Sequence, residues 1–498
     1  MTAYNLDTPI LKIGKNQIEW TIRNSVEGLQ IFGGIGSGKT SGSGRFFALK
    51  YLSLGYGGLV LTVKHDEKDE WIKYCKIANR ENDLIIVEPN GKHFFNFLNY
   101  ESKQDGNGKS YTDNILQVLK TVIRASEEQS QGKSDDSFWE NALDMLITNS
   151  IDLCLLAYNK VTVTDLYNIV CSAPNRSSET NVTDDNSAFQ VTFEKARNNI
   201  RTKIKVWQSS IPLEERAKMT EEEMKKIIYE NIPEARTMIF VDEFFMKTYA
   251  HLSEKTRSIV DFSFTGFLFR LLKDPVYSLF CNKPSTFTPD DCLNGKIIII
   301  NLPVKIYHKV GRDIQIMFKY IWQRAMEKRN IKENGRPVFL WADEAQNFIH
   351  EYDPEYQATA RSSRIATVYI SQNLPNYYAN MGGAKAEFKV KSFLGTLATK
   401  IFHANADIET NKYASELIGE DYKEDWNEAT NTTEGKVSIS RTVSLKLLKL
   451  VRPEAFNVLL TGGNKHDKKV TGYIHVQGLI IQDGYGHHRI RFNQEYEP

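Results

Sequence analysis

The octapeptide Gly33-Gly34-Ile35-Gly36-Ser37-Gly38-Lys39-Thr40 limits what this chain can fold into more than any other stretch. It reads G-x-x-x-x-G-K-S/T, a loop whose backbone N–H groups wrap a polyphosphate. Lys39 is then aimed at the β- and γ-phosphates and the Thr40 hydroxyl at Mg²⁺. Such a loop works between a buried strand and a helix N-terminus. Leu29-Gln30-Ile31-Phe32 before it is a short apolar run fit for the strand, and Gly44 to Leu52 after it carries apolar residues at helical spacing. Gly33, Gly34, Gly36, Ser37, Gly38, Lys39 and Thr40 are therefore expected to bind ATP, with Thr40 reaching the metal.

A chain of 498 residues is expected to form two or more domains. Its 41% hydrophobic and 25% charged residues are ordinary for a globular protein, and its formal net charge is +1. Any surface for nucleic acid must therefore be a local patch, or one assembled between copies. The five cysteines (Cys75, Cys154, Cys171, Cys281, Cys292) are odd in number and form no C-x-x-C pair. That disfavours a disulfide framework or a zinc site and suits a reducing cytoplasm. Residues 1–7 show no leader pattern, and no window approaches the run of about 18 apolar residues that a membrane span requires. The expectation is a cytoplasmic chain with no transmembrane segment of its own, which meets the inner membrane through partners.

Along the chain, Ile10–Ile13 and Ile18–Ile22 suit small strands, and Gly57–Val63 and Leu84–Val87 suit buried ones. Lys64-His65-Asp66-Glu67, just past Gly57–Val63, lies where α/β sheets keep their active sites. It reads equally well as a helix start with acids in its first turn. Gln104–Lys109 is polar and linker-like, and the next ~175 residues show helical rather than strand periodicity. Phe138–Ile147 is an amphipathic helix, Ser253 an N-cap, Pro174–Asn181 a surface loop and Glu221–Lys226 a solvated charged face. Strand character returns at Gly295–Leu302 and Pro337–Ala342. The pattern predicts an α/β protein: a mainly parallel sheet interrupted by a helical insertion.

Val338–Glu344 is an apolar strand ending in two carboxylates. In a P-loop chain such a pair divides labour: Asp343 for Mg²⁺, Glu344 for the attacking water. Ile239-Phe240-Val241-Asp242-Glu243 has the same outline, but its helical surroundings favour a core helix. Thr367–Gln372 is a further buried strand, and Gln372 at its end can sense the γ-phosphate or cap the next turn. Arg361 and Arg364 precede that strand on a helix opening at Asp353-Pro354. In a ring of ATPases one of them can reach a neighbour's nucleotide; alone, each reads as a surface residue.

On these residues the chain resembles the TraG/TraD-like coupling ATPases of type IV secretion, within the FtsK/HerA class of DNA motors. The likeness is carried by the P-loop, Lys64–Glu67, Asn96-Phe97-Leu98, Ser137-Phe138-Trp139-Glu140, Asp343-Glu344-Ala345, Ser371-Gln372 and Leu448–Glu454. Phe97 stands where that family has proline, the lysine of the second motif is displaced, and the family's membrane helices are missing. The resemblance implies a RecA-like P-loop NTPase domain with an inserted all-α domain, here placed at 105–285 between halves at 1–104 and 286–498. It implies a homohexamer around DNA that hydrolyses ATP between subunits. Glu344, Gln372 and Arg361 would be catalytic, with Arg361 the finger, and Thr40 and Asp343 would hold the metal. Loops bearing Lys385, Lys389 and Lys391 would face the channel. The partners implied are DNA and a relaxase or secretion-machine protein; a HerA-like motor working with a nuclease is the alternative.

Overall fold

The computed structural model describes residues 4–102, 111–128, 137–175, 186–381, 385–433 and 436–498. The linker-like stretch Gln104–Lys109, and the expected surface loop from residue 176 on, lie outside them. The chain divides into two compact units: Met1–Leu84 with Asp290–Lys305 and Gln323–Pro498, and Ile85–Pro289 with Ile306–Trp322.

The first unit opens with a small antiparallel pair, β1 (Pro9–Ile13) and β2 (Ile18–Thr21). Its centre is a sheet built from β3 (Leu29–Phe32), β4 (Gly57–Leu61), β6 (Ile297–Ile300), β7 (Val338–Asp343), β8 (Ile365–Ser371), β9 (Thr399–Phe402), β12 (Lys469–Val476) and β13 (His487–Asn493). The label β5 is kept for Leu84–Val87. The order is β13-β12-β9-β3-β8-β7-β4-β6. From β9 to β6 all neighbours run parallel, while β12 and β13 are antiparallel additions at one edge. The mainly parallel sheet expected from the apolar runs is present. Strands such as Ile297–Ile300 and Val338–Asp343 are buried at every residue, as in a sheet covered on both faces.

Aromatic side chains fix the layers. On one face Trp71, from the helix Glu67–Ile77, stacks on Phe339 at 5.4 Å and meets Trp341 edge-on at 5.3 Å. On the other, Tyr369 packs on Phe393 from the helix Ala386–Gly395. Two features were not expected from the sequence: the antiparallel edge, and a separate two-stranded sheet made by β10 (Glu420–Thr433) and β11 (Lys436–Lys449).

In the second unit the described residues are mainly helical. Phe138–Ile147 lies in the helix Ser137–Tyr158. Ser253 caps the helix Glu254–Leu271, its hydroxyl accepting from Thr256 N at 3.2 Å. The helix Glu221–Asn231 has no buried residue, as its charge pattern implies. Ile239–Glu243 ends the helix Pro233–Glu243, of which Val241 is buried while Phe240 is exposed. It is a helix, as expected, but it lines the surface rather than the core over half its face. Asn96 caps the helix Phe97–Glu101, and its side chain also donates to Cys281 O at 2.9 Å, tying the start of this unit to its end.

Candidate active site

The loop after β3 runs into a π-helical turn, Thr40–Gly44, that continues as the α-helix Arg45–Ser53. Gly36 and Gly38 have φ of +71° and +80°, a region that side chains with a Cβ disfavour. At Gly38 a Cβ would also stand 2.5 Å from Val470. Ser43 anchors the turn: its hydroxyl lies 2.7 Å from His403 Nε2, whose other nitrogen faces Thr471 O at 2.9 Å. A carbonyl can only accept, so Nδ1 carries the proton and Nε2 accepts from Ser43. Burial pushes the His403 pKa down to about 4, which keeps the ring neutral.

β8 lies between β3 and β7, so its C-terminal end emerges between the loop and the paired acids. Six side chains converge there. Thr40 Oγ1 donates to Asp343 Oδ2 at 2.8 Å. Lys39 Nζ is 3.9 Å from Glu344 Oε1, both side chains being almost buried. Gln372 Nε2 donates to Glu344 Oε1 at 3.0 Å, and Gln346 Nε2 to Glu344 Oε2 at 2.9 Å. Ser371 in turn donates to Gln346 Oε1, and Asn405 Nδ2 to the backbone carbonyl of Gln372 at 2.8 Å. Burial alone would raise the Glu344 pKa, but the two amide donors and the charges of Lys39 and Lys64 prevail and hold it below the usual value. Glu344 itself is left-handed, φ 52° and ψ 48°, which turns the chain sharply after β7.

Lys64 adds a cation on the far side, 3.6 Å from Asp343 and 4.0 Å from Glu344 and from Glu67. Glu67 accepts from Val63 N at 2.7 Å, and burial, with Asp343 nearby, pushes its pKa up to about 8. Both readings of the Lys64–Glu67 stretch are therefore met. It starts a helix with acids in its first turn, and Lys64 and Glu67 face the acid pair.

A cavity of about 670 Å³ opens over these groups, lined by Ile35 to Ser41, Lys64, Lys305, Glu344 and Gln372. That is a volume for a nucleotide-sized ligand. Two further observations fit a phosphate guest. Among the described residues Ser37 Oγ is buried with no hydrogen-bond partner, and the one ion pair of Lys39 is the long approach to Glu344. Thr40 and Asp343 form the oxygen donor set that Mg²⁺ favours.

Of the residues picked out from the sequence, the loop, Asp343, Glu344 and Gln372 come together. Arg361 does not join them within the chain. It precedes β8 at the end opposite Gln372, 61% exposed at its side chain, and pairs with Glu27 at 3.3 Å. Arg364 donates to Gly335 O at 2.7 Å. Lys389 and Lys391 were expected on a loop. They lie instead on the helix Ala386–Gly395, where the apolar spacing of Val390, Phe393 and Leu394 buries one face. Gln346, His403 and Asn405 were missed; Gln346 could have been sought from its place two residues past Glu344.

Residues 337–460 match the family described as the TraM recognition site of TraD and TraG. No curated protein matches the chain. Among solved structures, the bacterial conjugative coupling protein TrwBdeltaN70 in its unbound monoclinic form is 12% identical. The match covers 99% of this chain and 90% of that one, with a TM-score of 0.59. TrwB with the non-hydrolysable GTP analogue GDPNP is 11% identical over 99% and 91%, TM-score 0.60. TrwB with ADP and Mg²⁺ is 11% identical over 100% and 90%, TM-score 0.58. Residues 337–460 are thus similar to a segment of TraD and TraG, and the fold is similar to that of TrwB, a mainly parallel P-loop sheet with a helical domain.

Proposed function

We propose that this chain is an ATP-driven motor that moves DNA toward a type IV secretion or conjugation apparatus. One observation carries the catalytic half. Glu344 is held as a carboxylate by two amides beside the P-loop lysine, an arrangement for activating water rather than for mere nucleotide storage. Support for the transport half is the likeness in fold to TrwB over nearly the whole chain, together with the match at 337–460.

In this reading Lys39 and the loop glycines grip the phosphates of ATP, and Thr40 and Asp343 hold Mg²⁺, which when bound neutralises phosphate charge. Glu344 orients the attacking water and draws off its proton. Gln372, bonded to Glu344 and next to the loop, relays whether the γ-phosphate is present. The sites are completed between copies in a homohexameric ring, with Arg361 as a finger in trans. The helical domain, placed at 105–285, selects a relaxase or secretion partner. The segment 337–460 receives an accessory protein of the kind its family description names.

The test is phosphate release by the whole protein with single-stranded DNA, duplex DNA and no DNA, beside Lys39→Ala. DNA should raise the rate, and Lys39→Ala should abolish nucleotide binding. Hydrolysis indifferent to both forms of DNA would remove the motor from this proposal.

A further inference from the structure

β10 and β11 form a two-stranded sheet of their own, 14 residues a strand and in unbroken register from Glu420↔Lys449 to Thr433↔Lys436. At about 3.3 Å per residue the arm is roughly 45 Å long. Its base is fixed: Leu450 N donates to Gly419 O at 3.0 Å, and the Tyr485 hydroxyl donates to Asp421. Beyond the base, one face carries Tyr422 opposite Leu447, Trp426 opposite Val443, and Leu445 and Ile439 along the same row. These six side chains are between 46% and 67% exposed. A lone two-stranded sheet is marginal in water, and a bare apolar row on it is a surface awaiting a cover.

The charges say what covers it. β10 holds five acids against one lysine, a net charge of −4, while β11 holds four basic residues and no acid, a net +4. Within the arm they pair as Arg441–Glu428, Lys446–Asp425 and Lys449–Glu420, all partly exposed. Both strands are also edges, each with a free row of backbone donors and acceptors. The acidic edge of one arm is thus complementary to the basic edge of another, in the antiparallel sense in which β10 and β11 already pair. Repeated head to tail, that contact is heterologous and joins copies into a ring or row.

We infer that the 420–449 arm is an assembly element. Its acidic β10 edge pairs with the basic β11 edge of a second copy of this chain, and the apolar row becomes one continuous covered face. The inference does not depend on the hydrolysis reading.

Two full-length variants test it. Glu420→Lys with Asp425→Lys and Glu428→Lys makes both edges basic. Arg441→Glu with Lys446→Glu and Lys449→Glu makes both acidic. Sedimentation velocity with a non-hydrolysable ATP analogue should show the parent self-associating and each variant weakened about tenfold or more. An equimolar mixture of the two should recover association, because unlike edges then meet although each arm keeps its own like-charged strands. Charges that mattered only inside one arm could not give that rescue. Should either triple variant misfold, Trp426→Ser with Leu445→Ser strips the apolar row and should weaken association as well. A parent that stays monomeric, variants that associate as the parent does, or a mixture no better than its components would each overturn the inference. So would loss of binding to a different protein alone. A parent that hydrolyses ATP yet ignores these changes overturns this inference and leaves the proposed function standing. A parent that assembles through its arms and does not hydrolyse does the reverse.

Discussion

Replacing Glu344 by Gln separates binding from chemistry, and the structure says by how much. The side chain keeps its shape, its one oxygen still accepts from Gln346, and its new NH2 meets Gln372 once that amide turns its oxygen inward, so the turn after β7 should survive. What is lost is one negative charge 3.9 Å from Lys39. At an effective dielectric near 20 the gross attraction at that distance is about 4 kcal/mol, much of it offset by desolvation of the two groups. An incoming phosphate must compete with that attraction for Lys39, and must also approach a carboxylate of its own sign. In Glu344→Gln both penalties vanish, so nucleotide should bind as tightly as to the parent or up to about tenfold tighter, roughly 1.4 kcal/mol. The acceptor for the water's proton is gone, and hydrolysis should fall by about 10²–10⁴-fold. Calorimetric titration with ADP and a non-hydrolysable ATP analogue, beside phosphate release with and without DNA, reads the two halves. Turnover at the parent rate would refute the role of Glu344. Binding weakened by more than tenfold would show that the charge supports the pocket rather than opposing its guest.

Other expectations concern stability and assembly. Trp71→Ala removes a buried ring stacked on Phe339 and edge-on to Trp341 and should cost the first unit about 3–5 kcal/mol, seen as a lower urea midpoint at unchanged slope. His403 has a folded pKa of about 4 against an ordinary 6.5. Its contribution is therefore complete above pH 6.5 and is lost as pH falls toward 4; His403→Gln should flatten the thermal midpoint over that window, and an unchanged slope would count against the buried neutral ring. Arg361→Ala should cut hydrolysis by about 10³-fold if it acts on a neighbour, and mixing it with Lys39→Ala subunits should restore part of the rate, whereas a finger acting in cis predicts no rescue.

Much of the sheet was legible because parallel strands buried on both faces read as unbroken apolar runs, as at Ile297–Ile300 and Val338–Ala342. The added strands are of the other kind. In β11, Ile439, Val443, Leu445 and Leu447 alternate with Ser440, Thr442, Ser444 and Lys446, and β12 alternates Val470, Gly472, Ile474 and Val476 with polar neighbours. That two-residue period was present in the sequence. Neither strand, however, delivers a catalytic group. Motif reading finds strands that deliver catalytic groups and is blind to strands that build edges.

The site divides along a similar line. The loop, Asp343 and Glu344 announce themselves because their spacing is local. Gln346, Asn405 and His403 act through turns and strand neighbours that spacing does not encode: Gln346 reaches back to Glu344 only because Glu344 adopts φ 52°. Arg361 marks where one chain is not enough. β8 is seven residues long, about 23 Å, and Arg361 stands before its first residue while Gln372 follows its last. An arginine so placed is of no use to its own P-loop, however well its residue type suits phosphate. If it stabilises developing charge at all, the phosphate belongs to another copy, so the catalytic question for Arg361 and the assembly question for the 420–449 arm must be answered with the same oligomer.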